Sequence, residues 1–241
     1  MFNIFKKSST FKIDAYTCSE SAFNYTPVVK AHHTLPSWWV DLPAAGKDSR
    51  GFPDFRNRTM KTCVGFVDLF KIGLVVEYWD DLVITVKKDG YTAEHRLQGM
   101  PKSGSHPNFQ WGRGFPRHHH IKLNSPWLLR EKTNIPFLFC PPMWHMDLIN
   151  APKIMTGIVN FKYQSQVNIN MFLPIREKPY QIKIKRGTPL IHLIPLTERT
   201  MEFQNHLVSP GEIDTMNRSF NPEGCGTYPE RKRLLARAVE R

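Results

Sequence analysis

The residues of this sequence best placed to do chemistry are His145, Asp147 and His192, with Arg199 seven positions beyond the last of them. His145 and Asp147 are two apart, so on an extended segment their side chains face the same way. Two imidazoles and one carboxylate on one face of a divalent metal would leave the other face open to a cosubstrate, and an arginine could hold that cosubstrate's carboxylate in a forked ion pair. His192 can join the set only if its strand lies beside the segment that follows Pro142. Two further groups have suitable residue types. His118 and His120 share one face of an extended run and offer a two-ligand metal arrangement, set against the plainer reading of a polar strand start. Asp80 and Asp81 could act as an acid/base pair or bind metal, but neighbours on a strand point to opposite faces, which favours a solvated turn.

Composition bounds what those residues can belong to. With 241 residues the chain can bury a full core without staples. Hydrophobic residues make up 41% and charged residues 22%, ordinary globular usage, while 19 prolines and 16 phenylalanines point to many short elements joined by stiff loops. Lys and Arg outnumber Asp and Glu by 33 to 21, a formal charge of +12 that favours an anionic partner. The positive residues are dispersed apart from Arg231-Lys232-Arg233, and no regular interleaving of aromatic and basic residues marks a nucleic-acid surface. Cys18, Cys63, Cys140 and Cys225 form no CxxC pair, so free thiols in a reducing compartment are expected. The N-terminal MFNIFKKSSTFKID has no continuous apolar core, and no stretch reaches the roughly eighteen apolar residues of a membrane span. The expectation is a cytoplasmic protein with no membrane association, in the host cytosol or the virion if the chain is viral.

The elements that must position the candidates are mostly strands. Val167, Ile169, Met171 and Leu173 alternate with Gln166, Asn168 and Asn170, the two-residue period of a half-buried strand. Tyr180, Ile182 and Ile184 alternate with Gln181, Lys183 and Lys185, and Arg186-Gly187-Thr188-Pro189 turns that strand into a third, Leu190 to Leu196. Upstream, Phe11 to Tyr16 alternates. Lys30 to Arg58 reads as loop with one helical turn, Trp38-Trp39 anchoring it on the core. Thr59 to Phe70 fits helix and strand equally poorly. Gly73 to Leu97 reads as a β-meander with turns at Trp79-Asp80-Asp81 and Lys88-Asp89-Gly90. Gln98 to Arg117 is a long Gly/Pro/Ser-rich loop, His118 opens a strand running toward Trp127, and Ile135 to Cys140 is an apolar strand stopped by Pro141-Pro142. Ser209-Pro210-Gly211-Glu212 and Thr227-Tyr228-Pro229-Glu230 have the spacing of helix starts.

Gly157-Ile158-Val159-Asn160-Phe161-Lys162-Tyr163, the alternating strand after it and Lys185-Arg186-Gly187-Thr188-Pro189-Leu190-Ile191-His192 resemble the third motif and following strand of the dUTPase-like (β-clip) proteins. That family reads G-[VI]-[IV]-D-x-x-Y and then K-G-x-x-[IL]-A-Q, and the resemblance covers about forty of the 241 residues. It implies a β-clip domain, a homotrimer, an Asp that activates water and a Tyr that stacks on deoxyribose. Here Asn160 stands in place of the Asp while Tyr163 is retained, and an amide cannot act as a general base. The stretch is also similar to an uncharacterised family of phage and bacterial proteins in which G-T-P-[IL] leads into an I-P strand and a basic residue. The order HxD…H…R resembles that of the non-haem Fe(II), 2-oxoglutarate oxygenases. It implies His145, Asp147 and His192 as iron ligands and Arg199 as the clamp for 2-oxoglutarate, although Arg199 stands closer to His192 than in that family.

The resulting expectation is a mainly β chain, an antiparallel β-sandwich or β-clip of dUTPase-like or jelly-roll-like form. A loop-rich N-terminal arm (1–58) precedes the β domain (59–199), and a helical basic tail (200–241) follows it. Its function is expected to be that of a non-enzymatic, phage-type accessory or structural module without catalytic residues or cofactor. It would bind or assemble with a phage structural or host protein, with Arg231, Lys232, Arg233 and Arg237 meeting an anionic surface. One alternative is the Fe(II)/2-oxoglutarate oxygenase. The other is a nucleotide-binding or nucleotide-processing protein using Tyr163, Asn160 and Arg199.

Overall fold

The computed structural model describes residues 10–48, 50–97, 103–105, 114–145, 152–220 and 233. The chain is mainly β, with several antiparallel sheets and few helices. Its first strand, β1 (Thr10–Thr17), shows why: Phe11, Ile13 and Ala15 are buried while Lys12, Asp14 and Tyr16 face outward, so the strand buries one side only. β1 lies inside a five-stranded sheet, sheet A. The order is β10 (Lys153–Ile154), β12 (Gln166–Pro174), β8 (His118–Glu131), β1 and β15 (Thr200–Leu207), with β1 antiparallel to β8 and parallel to β15. Sheet B has the order β11 (Gly157–Asn160), β9 (Pro136–Cys140), β14 (Pro189–Pro195), β5 (Leu74–Glu77) and β2 (Val29–Lys30). A three-stranded sheet joins β13 (Tyr180–Ile184), β6 (Leu82–Val86) and β7 (Tyr91–His95), and β3 (Ala45–Lys47) pairs with β4 (Pro53–Arg58).

One apolar core joins the first three of these sheets. Ile13, Ile121, Leu123 and Ile169 come from sheet A and Leu74, Val76, Phe137 and Ile191 from sheet B, with Ile84 of β6 in the same cluster. The alternating strands expected at 166–173, 180–185 and 190–196 are present as β12, β13 and β14, but each enters a different sheet. The Gly73–Leu97 meander is likewise divided: β6 and β7 form the hairpin, whereas β5 leaves for sheet B. The divisions at residues 58 and 199 also cut across sheet A, which takes β1 from the expected arm and β15 from the expected tail. Period-two alternation fixes which residues face the core; it carries no information about which strand lies alongside.

Local chemistry explains the remaining elements. β8 runs through Pro126, and the register with β12 shifts there, Asn124 facing Asn168 and Leu128 facing Gln166, so the proline sits where no ladder donor is required. The 30–58 region holds more structure than a loop: a 3-10 turn at Ala31–Thr34, helix α2 (Ser37–Asp41), β3 and β4. Trp39 is buried as expected, but Trp38 is 41% exposed. Helix α1 (Glu20–Tyr25) is capped by Ser19, whose hydroxyl accepts from the Ala22 amide. Helix α3 (Val64–Lys71) forms despite Gly65, with Phe70 buried beneath it. Helix α4 (Pro210–Phe220) starts on a reciprocal cap: the Ser209 amide donates to Glu212 Oε2 at 2.8 Å and the Glu212 amide donates to Ser209 Oγ at 3.3 Å. The helix start expected at Thr227 lies outside the described residues. Among the described residues no helix is long and apolar enough to cross a membrane.

Where β8 of sheet A hands the chain to β9 of sheet B, Glu131 is 0% exposed and accepts from the Thr133 amide, the Thr133 hydroxyl and, at 2.9 Å, the Ile135 amide. Replacing it by alanine strands those donors away from water. Glu131→Ala is expected to lose roughly 2–4 kcal/mol, with Glu131→Gln losing about half as much because one oxygen remains. Urea unfolding with an unchanged slope checks this, and a variant within about 0.5 kcal/mol of wild type contradicts it.

Candidate functional site

A concave site lies where the outermost strands of the two large sheets approach each other. β10, at the edge of sheet A, and β11, at the edge of sheet B, are joined by only Met155 and Thr156, which brings the side of β12 next to β11. The cleft between them has a volume of about 350 Å³. One wall is polar, formed by Lys122 of β8 together with Gln164, Gln166, Asn168 and Asn170. The other is apolar, formed by Phe139, Met155, Ile158 and Val159. Strand period explains the polar wall: Val167, Ile169 and Met171 go into the core, so Gln166, Asn168 and Asn170 must share the opposite face. Asn168 Nδ2 donates to Gln166 Oε1 at 3.1 Å, which orders part of the row, and Lys122 stands opposite Asn170 in the register with β8. Carboxamides present donors and acceptors side by side, so this wall suits a ligand that also has both. Among the described residues, no carboxylate, imidazole or thiol lines the cleft, and Lys122 is its one charged group.

A second site collects histidines on sheet B. His192, on β14, points away from the core residues Ile191 and Leu193 and donates from Nε2 to the Ile72 carbonyl at 2.8 Å. A carbonyl only accepts, so Nε2 carries the proton and Nδ1 keeps its lone pair in the neutral ring. His145, in the 3-10 turn Met143–His145, donates to the Thr34 carbonyl and lies near enough to His192 for that ring to disfavour charging it. Burial, above all, pulls both imidazoles below the usual histidine range, while the carbonyl partners pull partly back. Gly73 makes the approach possible: its φ is +83°, and a Cβ there would meet the Leu193 carbonyl oxygen at 2.2 Å. Beside the pair stands an aromatic group in which Trp39 and Phe70 centroids are 4.8 Å apart and Phe66 and Trp144 5.0 Å apart. Trp38 reaches across it, its indole N–H donating to the Trp144 carbonyl at 3.2 Å.

Of the expected metal set, the described residues include His145 and His192. His145 and His192 come near each other, and Asp147 lies outside the described residues. No third His, Cys, Asp or Glu joins the two rings in a metal-holding group among the described residues. Arg199 is engaged elsewhere, its guanidinium donating to the Thr10 carbonyl and lying over the Phe11 ring. His118 and His120 do share a face of β8, but Phe172 packs against both rings and Asn170 Oδ1 accepts from His120 Nε2 at 3.1 Å.

The residues of the dUTPase-like motif serve the β11-to-β12 turn. Asn160 Oδ1 accepts from the Lys162 amide at 3.0 Å, Asn160 Nδ2 donates to Asn134 Oδ1 at 2.9 Å, and the Tyr163 ring is buried. Arg233 is exposed in helical backbone; Arg231, Lys232 and Arg237 lie outside the described residues.

Asp80 departs from the solvated turn expected for it. Only 1% exposed, it accepts from the Asp81 amide at 2.7 Å and the Leu97 amide at 3.1 Å, while Asp81 turns outward to the Arg186 amide and Arg96. Asp80 also faces His95 at 3.7 Å, and His95 Nε2 lies 3.3 Å from Ser103 Oγ, so the residue types of a nucleophilic triad meet here. The Ser103 amide, however, donates to the same Nε2 at 3.4 Å and Asp80 is committed to backbone amides, an arrangement that ties residues 103–105 to β7.

Sequence reasoning identified the polar face of β12 but not the cleft, because its opposite wall arrives through the sheet crossing. The signal that was available is the density of carboxamides at alternate positions from Gln164 to Asn170, unusual where a solvated face would carry charge. Compared with known proteins, the chain matches no protein-family model and no curated protein.

The histidine pair sets a pH dependence. Both rings bind protons less readily folded than unfolded, so their stabilising contribution is complete above the unfolded value of about 6.5 and is lost as pH falls below it toward the depressed folded values. Stability should fall as pH drops below about 6.5, and His192→Gln should flatten that fall. Thermal midpoints of both proteins across the range check it; an undiminished slope in the variant would assign the effect to His145, His118 or His32, whose proton affinities burial also lowers.

Proposed function

We propose that this chain is a non-enzymatic binding module whose recognition site is the carboxamide cleft between β11 and β12. The observation that carries the reading is the composition of the lining: a row of hydrogen-bonding amides facing an apolar ledge, with Lys122 the one titratable group among the described residues. Such a surface holds and orients a ligand but has no carboxylate, imidazole or thiol to pair with that lysine in acid/base work. The sequence resemblance to phage and bacterial proteins and to the β-clip scaffold supports an accessory or structural role, and so does Asn160 in place of the catalytic Asp. The order of pairing, with β5, β14, β9 and β11 in one sheet and β8 and β12 in the other, fits a jelly-roll-like arrangement. The formal charge of +12 and a second cleft beside Lys30, His32 and His33 favour a partner with negative surface.

A thermal-shift panel of mononucleotides, oligosaccharides and short peptides at millimolar concentration tests the reading. A ligand that binds the folded state must raise the midpoint, and the rise should disappear in Asn168→Leu, whose side chain lies on the cleft wall outside the core. Stabilisation by nucleotides that survives Asn168→Leu would move the site to the dUTPase-like motif. No stabilisation by any class would remove the binding-module reading.

A further inference from the structure

We infer that the cleft's ligand is an extended peptide that adds to the open edge of β11, with acidic or carboxamide side chains entering the cleft. This rests on the binding-module reading and names the partner's chemistry and its mode of attachment.

The first argument concerns edges. A strand at the side of a sheet leaves a row of amide and carbonyl groups unpaired, and proteins guard such rows with charges, prolines or very short strands. Every other described edge strand is guarded by charge: Lys153 on β10, Glu202 on β15, Lys30 on β2, Lys183 on β13, Glu94 on β7, and Lys47 and Arg56 on β3 and β4. β11 is Gly157-Ile158-Val159-Asn160, with no charge and no proline. Among the described residues it pairs with β9 alone, and Ile158 at its centre is 67% exposed. Among the described strands at the ends of sheets, β11 alone has neither a charge nor a proline, as a docking edge requires.

The second argument concerns the chemistry next to that edge. β10 pairs with β12 only at Phe172 and Met171, with one further bond from the Met155 amide to the Asn170 carbonyl, so β12 from Gln166 to Asn168 has no strand on that side among the described residues. A peptide strand laid along β11 would therefore send alternate side chains toward the row of Gln166, Asn168 and Asn170 and the others toward Ile158. Main-chain pairing supplies attachment, and alternate side-chain contacts supply selection. Lys122 is the cleft's one charge, so an acidic side chain at the Asn170 end is favoured and a basic one disfavoured. The volume of about 350 Å³ accommodates a few side chains of one strand rather than a folded domain.

The probe is an N-acetylated, C-amidated octapeptide alternating valine and glutamate, compared with one alternating valine and lysine, titrated into the full chain at neutral pH. Three results are expected: the glutamate peptide binds at least ten-fold tighter than the lysine peptide, amide hydrogen exchange in Ile158–Asn160 slows at least ten-fold at saturation, and Lys122→Glu reverses the order of the two peptides. Ile158→Lys, at an exposed position that leaves the core untouched, should weaken binding at least ten-fold with an unchanged thermal midpoint. Binding that Asn168→Leu abolishes but that leaves β11 exchange unaltered would overturn edge addition while leaving the cleft as the site. Absence of binding by both peptides, or concentration-dependent self-association that Ile158→Lys abolishes, would overturn the peptide assignment.

Discussion

Backbone amides at the corners where the chain leaves one sheet for another must find acceptors away from water, and the rest of this structure depends on three side chains that supply them. Glu131 serves the passage from β8 to β9, Asn160 that from β11 to β12, and Asp80 that from β5 to β6. An unpaired buried amide costs as much as several favourable contacts return, so a core closed by crossing strands is stable only if its corners are satisfied. Two of these corners are also joined to each other. Asn160 donates to Asn134, which sits at φ 69° in the turn that Glu131 organises, so the geometry of one crossing helps fix the other. The dUTPase-like motif residues are thus occupied with architecture, and the cleft owes its position to the same turn.

Much of the strand content was legible because apolar and polar residues alternate cleanly at Phe11–Tyr16, Gln166–Leu173 and Tyr180–Ile184. Sheet membership was not. The turn at Arg186-Gly187 looks like a hairpin in sequence, yet Gly187 at φ +82° leads the chain from the three-stranded sheet into sheet B. The site divided in the same way. The amides of β12 could be placed on one face from spacing, whereas spacing left open whether His192 meets His145, which sits in a 3-10 turn after β9. The apolar ledge at Met155–Val159 and the carbonyls of Ile72 and Thr34 that hold the imidazoles are tertiary partners with no local signature.

Charge in this protein is spent mostly at the surface. The described ion pairs Lys12–Asp14, Arg50–Asp48, Arg56–Asp54 and Lys88–Glu177 each have at least one well-exposed member and contribute little to stability. The buried carboxylates work instead through backbone amides, which are fixed and close. Excess positive charge is therefore left free to act at a distance, on the approach of a partner more than on the fold.

The place of β1 has a consequence for how the chain is made. It emerges first among the described strands, yet its neighbours in sheet A are β8, which begins at His118, and β15, which ends at Leu207. During synthesis its apolar row of Phe11, Ile13 and Ala15 must wait for β8 before it is paired on one side, and for β15 before it is paired on the other. Such long-range closure is slow and leaves a sticky strand waiting in the nascent chain. The parallel pairing of β15 with β1 joins the first described strand to the last, so that side of sheet A can close only after all the other described strands have been made.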